Sequence, residues 1–520
     1  MKNKLIRCAT LLCAMLMLLG CFSACSKDKD KEPDTTAKEI DVSVDDVNSE
    51  AAQYLPKRFD LGGYTYRMLI DAGVQHDLFA PVDGMTGSIM DQAFYERNLL
   101  IEEYFNIEFQ AVGLTGEQYQ IKNMLVTNAS VGEDFCDVFF AVASNIMQTA
   151  IVNGYAMDVN QVAGLNLETS YWDQRIQTDY QIEGKLFALE GDITVYDEMR
   201  TQQVTYNKKL YEDFGYLTEY GTPYAMVESG TWTLDTMLAM AKDTSDLNSG
   251  NGDLTKESKW GIISETPFLY AIYLGSGKKT IQSNEYGEMT FMFDDDSHYA
   301  LSIDMFTKIG EKLALNEEIL FVNTSNGVLS SDTSLMWKEA QAMFINNQAL
   351  FRTSTLTDVL AYAAEMTTGF GILSVPRYSE TQTEYYSVCA PQAHMPLMIP
   401  VTARKHIDKT AAITEAAAYF SRYIGDSKST QTVVGAFYEV MAINKLCNSE
   451  DDYKMLELIF GNKTYDLDSA MLITYAQDKF KPYCRERNID TIGSDFSSAN
   501  CSMWKNTMNK YIADMWNNAP

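Results

Sequence analysis

Only four histidines occur in this 520-residue chain, His76, His298, His394 and His406, and they are far apart. None belongs to an H-E-x-x-H helix, which excludes the common two-histidine zinc site of hydrolases. A G-x-S-x-G strand-to-helix turn is also missing, and with it the serine-hydrolase elbow. The one sustained apolar run near the start, Cys8 to Leu19, covers twelve residues, short of the roughly 20 that span a bilayer. Beyond residue 25 only Cys136, Cys389, Cys447, Cys484 and Cys501 remain. An odd count at wide spacing yields neither a disulfide framework nor a metal motif, and reads as mostly buried thiols. Cations are scarce as well: 41 Lys and Arg against 71 Asp and Glu leave a formal charge of −30. Such a surface repels nucleic acid and anionic headgroups. No self-similarity recurs at a period of about 20–50 residues, so a solenoid or propeller is not expected.

What is present begins with an export leader. Lys2, Lys4 and Arg7 precede the apolar run, and small residues with cysteines follow it, the order of a secretory signal rather than of a membrane span. Two segments resemble the lipobox of bacterial lipoproteins, LLGC at 18–21 and FSAC at 22–25. Cys25 is the preferred acceptor because it has the better small pair and the polar tether directly after it; Cys21 is the alternative. Residues 26–57 are rich in Lys, Asp, Glu, Ser and Thr, too polar to offset the entropy of ordering them, and read as a flexible tether. The expected location is extracytoplasmic, lipid-anchored to the outer face of the bacterial cell membrane. The remaining 460 or so residues suffice for one large two-lobed body or two to three ordinary domains.

Along that body, 63–70 (GYTYRMLI) predicts a strand leading into the Asp71 loop, and 88–104 a helix with Ser88 as N-cap. The near-continuous apolar run 135–142 (FCDVFFAV) suits a strand buried on both faces. Helices are expected over 233–242, 299–313, 332–347, 410–423 and 451–460, the last closed by Gly461 at C′. Buried strands are expected at 203–206, 259–263 and 369–375, the last stopped by Pro376. Strand alternating with helix implies an α/β layered architecture.

Few motifs carry chemistry. The run 275–280 (GSGKKT) lacks the first glycine of a phosphate loop, since position 272 is Ile272, and reads as a solvated turn. Asp246, Asn248, Asn251 and Asp253 have the oxygen-rich character of a calcium loop but depart from its spacing by one residue; no metal or other cofactor is expected. Carboxylates are numerous, but a glycosidase pair is defined by separation in space, which a sequence does not give. Aromatics stand beside hydrogen-bonding residues at Tyr171-Trp172-Asp173, Thr231-Trp232-Thr233 and Glu384-Tyr385-Tyr386. A flat apolar face ringed by donors and acceptors suits a sugar, although single aromatics more often belong to the core.

The segments 184–193 (GKLFALEGDI), 205–210 (TYNKKL), 230–235 (GTWTLD) and 259–262 (KWGI) occur in that order. With 370–378 (FGILSVPRY), 384–386 (EYY), 436–439 (AFYE) and 454–460 (KMLELIF), the chain resembles extracellular solute-binding proteins of family 1, the lipoprotein receptors of bacterial carbohydrate importers. The resemblance implies a two-lobed type II periplasmic-binding-protein fold, α/β in class, with a hinged interlobe cleft. By analogy 58–200 and 375–430 form the N-terminal lobe, and 201–374 and 431–520 the C-terminal lobe. It further implies capture of a mono- or oligosaccharide for the permease subunits of an ABC transporter, with no catalysis. A receptor for a peptide or polyamine, or a surface glycan-active enzyme, are the alternatives. In open α/β sheets ligands sit beyond the carboxyl ends of strands. That rule places Asp71, Ser144, Asn145, Tyr196, Asp197 and Arg200 on one side of the cleft and Glu265, Phe268, Tyr270 and Arg352 on the other. Phe268 or Tyr270 is expected to stack on the sugar, and the polar side chains to grip its hydroxyls.

Overall fold

Tyr64–Leu69 forms the first strand, β1, where alternating aromatic and apolar residues predict it. The structure, a computed structural model, describes residues 50–70, 88–113, 118–246, 255–324, 327–424, 427–428, 431–447 and 449–519, within one compact unit, Val47–Pro520. Cys21, Cys25, Asp71, Asn248, Asn251 and Asp253 lie outside the described residues.

After β1 the helix Ile89–Phe105 begins as its sequence dictates: the Ser88 side chain accepts the Met90 N–H and relieves one orphan donor of the first turn. The helix buries Ala93, Phe94, Ile101 and Phe105 against the helix Ile407–Arg422. It ends at Asn106 in the left-handed region, φ 52°, a conformation that asparagine tolerates better than most residues. The chain turns there directly into β2, Ile107–Val112. β3 is Val138–Phe140, buried throughout. Then follow β4 (Gln202–Asn207), β5 (Trp260–Ser264), the hairpin strands β6 (Ile281–Ser283) and β7 (Met289–Phe291), β8 (Ile319–Phe321), β9 (Ala349–Thr355) and β10 (Phe370–Leu373). The chain returns through β11 (Ser387–Val388) to β12 (Leu397–Met398), and later forms the short strands β13 (Tyr423–Ile424), β14 (Ser427–Lys428) and β15 (Lys463–Thr464).

Two sheets result. The first has the order β12-β3-β1-β2, with β1 parallel to β2 and β3 and with β12 antiparallel to β3. The second has the order β10-β4-β9-β5-β8, in which β4 runs antiparallel to both its neighbours and β5 parallel to both of its own. β12 joins β3 across a long excursion of chain, so the first lobe is assembled from discontinuous segments. Crossing segments link the sheets: Leu189 bridges Leu397, and Thr201 bridges Cys389 just before β4. Gly191 marks a close approach in this crossing. Its φ is +153°, and a Cβ there would stand 2.3 Å from the Tyr171 carbonyl oxygen. The C-terminal helix Ser498–Asn517 lies against the helix Ala143–Val152.

The second sheet is the more deeply buried, with every residue of β4, β5 and β10 inaccessible. Trp232 packs near Phe351 of β9, ring centroids 5.6 Å apart, and its indole N–H donates to the Ser374 carbonyl at 2.9 Å. Each such large buried side chain contributes about 1.5–3 kcal/mol. Cys136, Cys389, Cys484 and Cys501 are buried free thiols and Cys447 is half-buried, as their scattered spacing implied.

Two local expectations are corrected. Gly461 is the last residue of the helix Glu450–Gly461 and not its left-handed terminator, because the cap falls on Asn462 at φ −115°. The 275–280 segment is a turn with Gly277 exposed, but its two ends are not solvated. Thr280 is fully buried against Tyr270 and Asp468, and Lys279 pairs with Asp179 at 2.7 Å. Among the described residues no helix is long and apolar enough to cross a membrane, and no cluster of His, Cys, Asp and Glu has the arrangement of a metal site.

Candidate functional site at the junction of the two sheets

Parallel strands aim their carboxyl ends, and the helices that follow, toward one edge of a sheet. In the first sheet that edge bears the helix Ala143–Val152 after β3, with Ser144 and Asn145, both half-buried, in its first turn. In the second it bears Glu265 and Thr266 after β5, Asn323 and Thr324 after β8, and the helix Leu356–Ala363 after β9. The antiparallel β4 brings its start to the same edge, preceded by the short helix Tyr196–Met199 and Arg200.

Residues 390–394 join these two edges. The Ser144 N–H donates to the Pro391 carbonyl at 3.0 Å and the Ala143 N–H to that of His394 at 3.1 Å, while the Ala390 N–H donates to the Arg200 carbonyl at 3.0 Å. On the far side, the Thr357 hydroxyl donates to the Met199 carbonyl at 2.9 Å. Ser144 is thus tied through 390–394 to Arg200, and Arg200 through its neighbour Met199 to Thr357, the residue beside Asp358.

The Arg200 guanidinium lies 4.8 Å from the centre of the Tyr196 ring and donates to the Tyr196 hydroxyl at 2.8 Å. Arg352 sits inside β9, opposite Thr205 of β4 and Ile263 of β5, and is fully buried. One of its terminal nitrogens reaches Asp358 at 3.3 Å. Glu265 shares its field. Burial, then the charge of Asp358, pushes the Glu265 carboxyl up to about 8, against the opposing pull of Arg352. The acid is thus largely protonated at neutral pH and able to donate as well as accept a hydrogen bond. Thr266 and Asn323 hold the adjoining loop: the Asn323 amide donates to the Thr266 hydroxyl at 2.9 Å and its carbonyl accepts the Thr266 N–H at 3.3 Å.

Buried polar atoms nearly always find partners. Arg200 Nε, Gln202 Oε1, Thr324 Oγ1, and Arg352 Nε and Nη1 are buried here and find no partner among the described residues. Fixed, unspent donors and acceptors at one sheet edge are what polyhydroxylated ligands require.

Three expected residues are placed differently. Asp197 is fully buried, with Oδ2 bound by Lys463 and by the Tyr465 hydroxyl at 3.2 Å and with Oδ1 finding no partner among the described residues. Tyr270 does not offer a stacking face. Its ring is fully buried, stacked on Tyr273 at 5.6 Å and flanked by Phe306 and Phe480, because the helix Pro267–Gly275 is apolar all round. Phe268, two residues earlier, is 2% exposed. Tyr171 and Trp172 are likewise core, both donating to the Glu415 carboxylate. Asp358, Gln202, Asn323 and Thr324 were missed. Their only sequence signal is position, each following or preceding a strand that was itself short or unassigned.

A scan against family models finds no match, and neither does a comparison with curated proteins. Solved structures do match. The galacto-N-biose/lacto-N-biose I-binding protein of the ABC transporter from Bifidobacterium longum, in complex with lacto-N-biose, aligns over 86% of this chain and 98% of its own at 12% identity, with a TM-score of 0.53. A family 1 extracellular solute-binding protein from Bifidobacterium longum subsp. infantis aligns over 86% and 100% at 16% identity, TM-score 0.49. Maltose-bound MalE3 of T. maritima aligns over 86% and 100% at 13% identity, TM-score 0.49. Two α/β sheets joined by crossing segments, and an alignment running nearly the whole length of the lacto-N-biose-binding protein, give one conclusion: this chain has the two-lobed periplasmic-binding-protein fold, α/β in class.

Proposed function

We propose that the chain is an extracytoplasmic receptor that captures a mono- or oligosaccharide between its two lobes and delivers it to the permease subunits of an ABC importer, held to the membrane by a lipid on Cys25 or Cys21. The observation that carries the reading is the group of buried polar atoms on Arg200, Gln202 and Thr324, where strand ends of the second sheet meet the crossing segments, and on Arg352 inside β9, that find no partner among the described residues. Ser144 and Asn145 would contact the ligand from the first lobe, Arg200 from the crossing, its guanidinium steadied by the buried Tyr196, and Glu265 from the second lobe, with Arg352 holding Asp358 and Glu265 in place. A ligand that touches both lobes stabilises the closed arrangement over the open one, and a permease that reads the closed shape distinguishes loaded from empty receptor. No step of this cycle makes or breaks a covalent bond.

The test is a thermal-shift screen with mono- and oligosaccharides, polyamines and short peptides. A ligand at 100 times its dissociation constant adds about 2.7 kcal/mol of stability, enough to move the melting temperature by a few degrees. A shift with one or more sugars, lost in Arg200→Ala and Glu265→Ala proteins that still fold, is expected. Shifts with peptides or polyamines alone, or release of shortened glycan during incubation, would replace the reading with one of those alternatives.

A further inference from the structure

Lys463 is a buried cation surrounded by acids. Its side chain is 7% exposed, and its ammonium donates to Glu198 at 2.9 Å, pairs with Asp173 at 3.1 Å and also binds Asp197. Those carboxylates belong to different parts of the fold. Asp173 follows Tyr171 and Trp172, which are tied to Glu415 on the helix Ile407–Arg422 of the first lobe. Asp197 and Glu198 lie on the crossing helix Tyr196–Met199, directly ahead of β4 of the second sheet. Lys463 itself stands on β15, which pairs in parallel with β11 of the returning crossing.

The surrounding hydroxyls close the arrangement. The Tyr465 hydroxyl lies 2.9 Å from Asp173 and 3.2 Å from Asp197, and the Tyr438 hydroxyl donates to Glu198 at 3.0 Å. Remove the ammonium and three carboxylates remain with little access to solvent and mutually repelling, one on the Asp173 turn and two on the crossing helix Tyr196–Met199. A buried ion pair that loses one partner is strongly destabilised because the remaining charge is uncompensated, and here the strain falls on the crossing.

We infer that Lys463 is a positioning residue: its ammonium ties the crossing helix Tyr196–Met199 to Asp173 and thereby fixes the Tyr196–Arg200 pair relative to the first-lobe side of the cleft. The functional meaning rests on the receptor reading of Tyr196 and Arg200; the geometric claim does not, and its test uses no ligand. Nitroxide labels at Glu103→Cys on the helix Ile89–Phe105 and Glu219→Cys on the helix Tyr216–Glu219, both exposed, report the distance between lobes by pulsed electron resonance. The full-length chain is used with Cys8→Ser, Cys13→Ser, Cys21→Ser, Cys25→Ser and Cys447→Ser, which leaves only buried thiols beside the two labelled positions. Lys463→Met is expected to widen the distance distribution at least twofold, and Lys463→Arg, which keeps the charge, to restore most of the original width. An unchanged distribution in folded Lys463→Met overturns the inference, as does equal widening in the Met and Arg proteins. Should Lys463→Met not fold, Asp173→Asn removes only the first-lobe contact and is expected to widen the distribution by a smaller factor; no widening there also overturns it. A chain that binds no sugar but behaves this way would defeat the receptor reading and leave the role of Lys463 intact.

Discussion

Glu265→Gln should make this protein more stable at alkaline pH and leave it nearly unchanged in acid. In the folded chain burial and the neighbouring Asp358 push the Glu265 carboxyl up to about 8, from an ordinary 4.5. A raised carboxyl stabilises the fold only while it stays protonated. Its cost is absent below about 4.5, grows as pH rises because the unfolded chain ionises first, and is complete near pH 8. At about 1.36 kcal/mol per pH unit, the interval between about 4.5 and about 8 corresponds to at most ~5 kcal/mol. Glu265 keeps some surface and shares Arg352 with Asp358, so solvent screening and pairing reduce this to roughly 2 kcal/mol. Glutamine preserves shape and hydrogen bonding but cannot ionise. Urea unfolding at about pH 5 should give matching midpoints for the two proteins, and at about pH 8.5 a higher midpoint for Glu265→Gln. A difference that does not change with pH, or a less stable variant at pH 8.5, would refute the argument and remove the neutral donor from the candidate site.

Two further predictions concern the frame around that site. Glu415 is buried without a cation and accepts from the Tyr171 hydroxyl at 2.5 Å, the Trp172 indole at 3.1 Å, and the Asn166 N–H and amide at 3.1 and 2.6 Å. Glu415→Ala strands four donors and should cost about 3 kcal/mol or more, read as a fall in the urea midpoint; a loss under about 1 kcal/mol would mean the network is not cooperative. His406 is pinned between Asp137 and Asp134, each at 3.0 Å, and hydrogen bonding to Asp137 leads the effects that raise its pKa. A histidine whose folded pKa is raised stabilises the fold fully below its ordinary 6.5 and loses that contribution as pH rises through the folded value. His406→Gln should therefore be less stable than the native chain by about 1–3 kcal/mol at pH 5.5, with the gap closing by pH 9, and a gap that widens with pH would contradict the pairing.

Elements whose periodicity is self-contained were legible in the sequence. β1, β4, β5 and β10 show as short runs of buried β-formers, and the helices beginning after Ser88, Thr233 and Asp332 announce themselves through capping side chains that accept backbone N–H groups in the structure. β2 was not legible, because its alternation is half-exposed and it starts one residue after a helix, with Asn106 turning the chain. β12 is two residues long and gains its identity only from β3, far upstream. The site followed the same division. Ser144, Arg200 and Glu265 could be placed because they follow or precede recognisable strands. Lys463 could not, since its partners Asp173 and Asp197 are hundreds of residues away and look like surface acids in a chain with 71 of them. Tyr270 was misjudged for the converse reason: a tyrosine in an apolar helix has no sequence mark that separates a ligand platform from a core ring.

Closure of the two lobes on a sugar is read by small-angle scattering of the full-length chain, with and without the saccharide that raises its melting temperature. The saturated protein should have a smaller radius of gyration, with no such change when Arg200→Ala is titrated to the same concentration. A saturating sugar that leaves the radius of gyration unchanged, or compaction that survives Arg200→Ala at the same affinity, would contradict it.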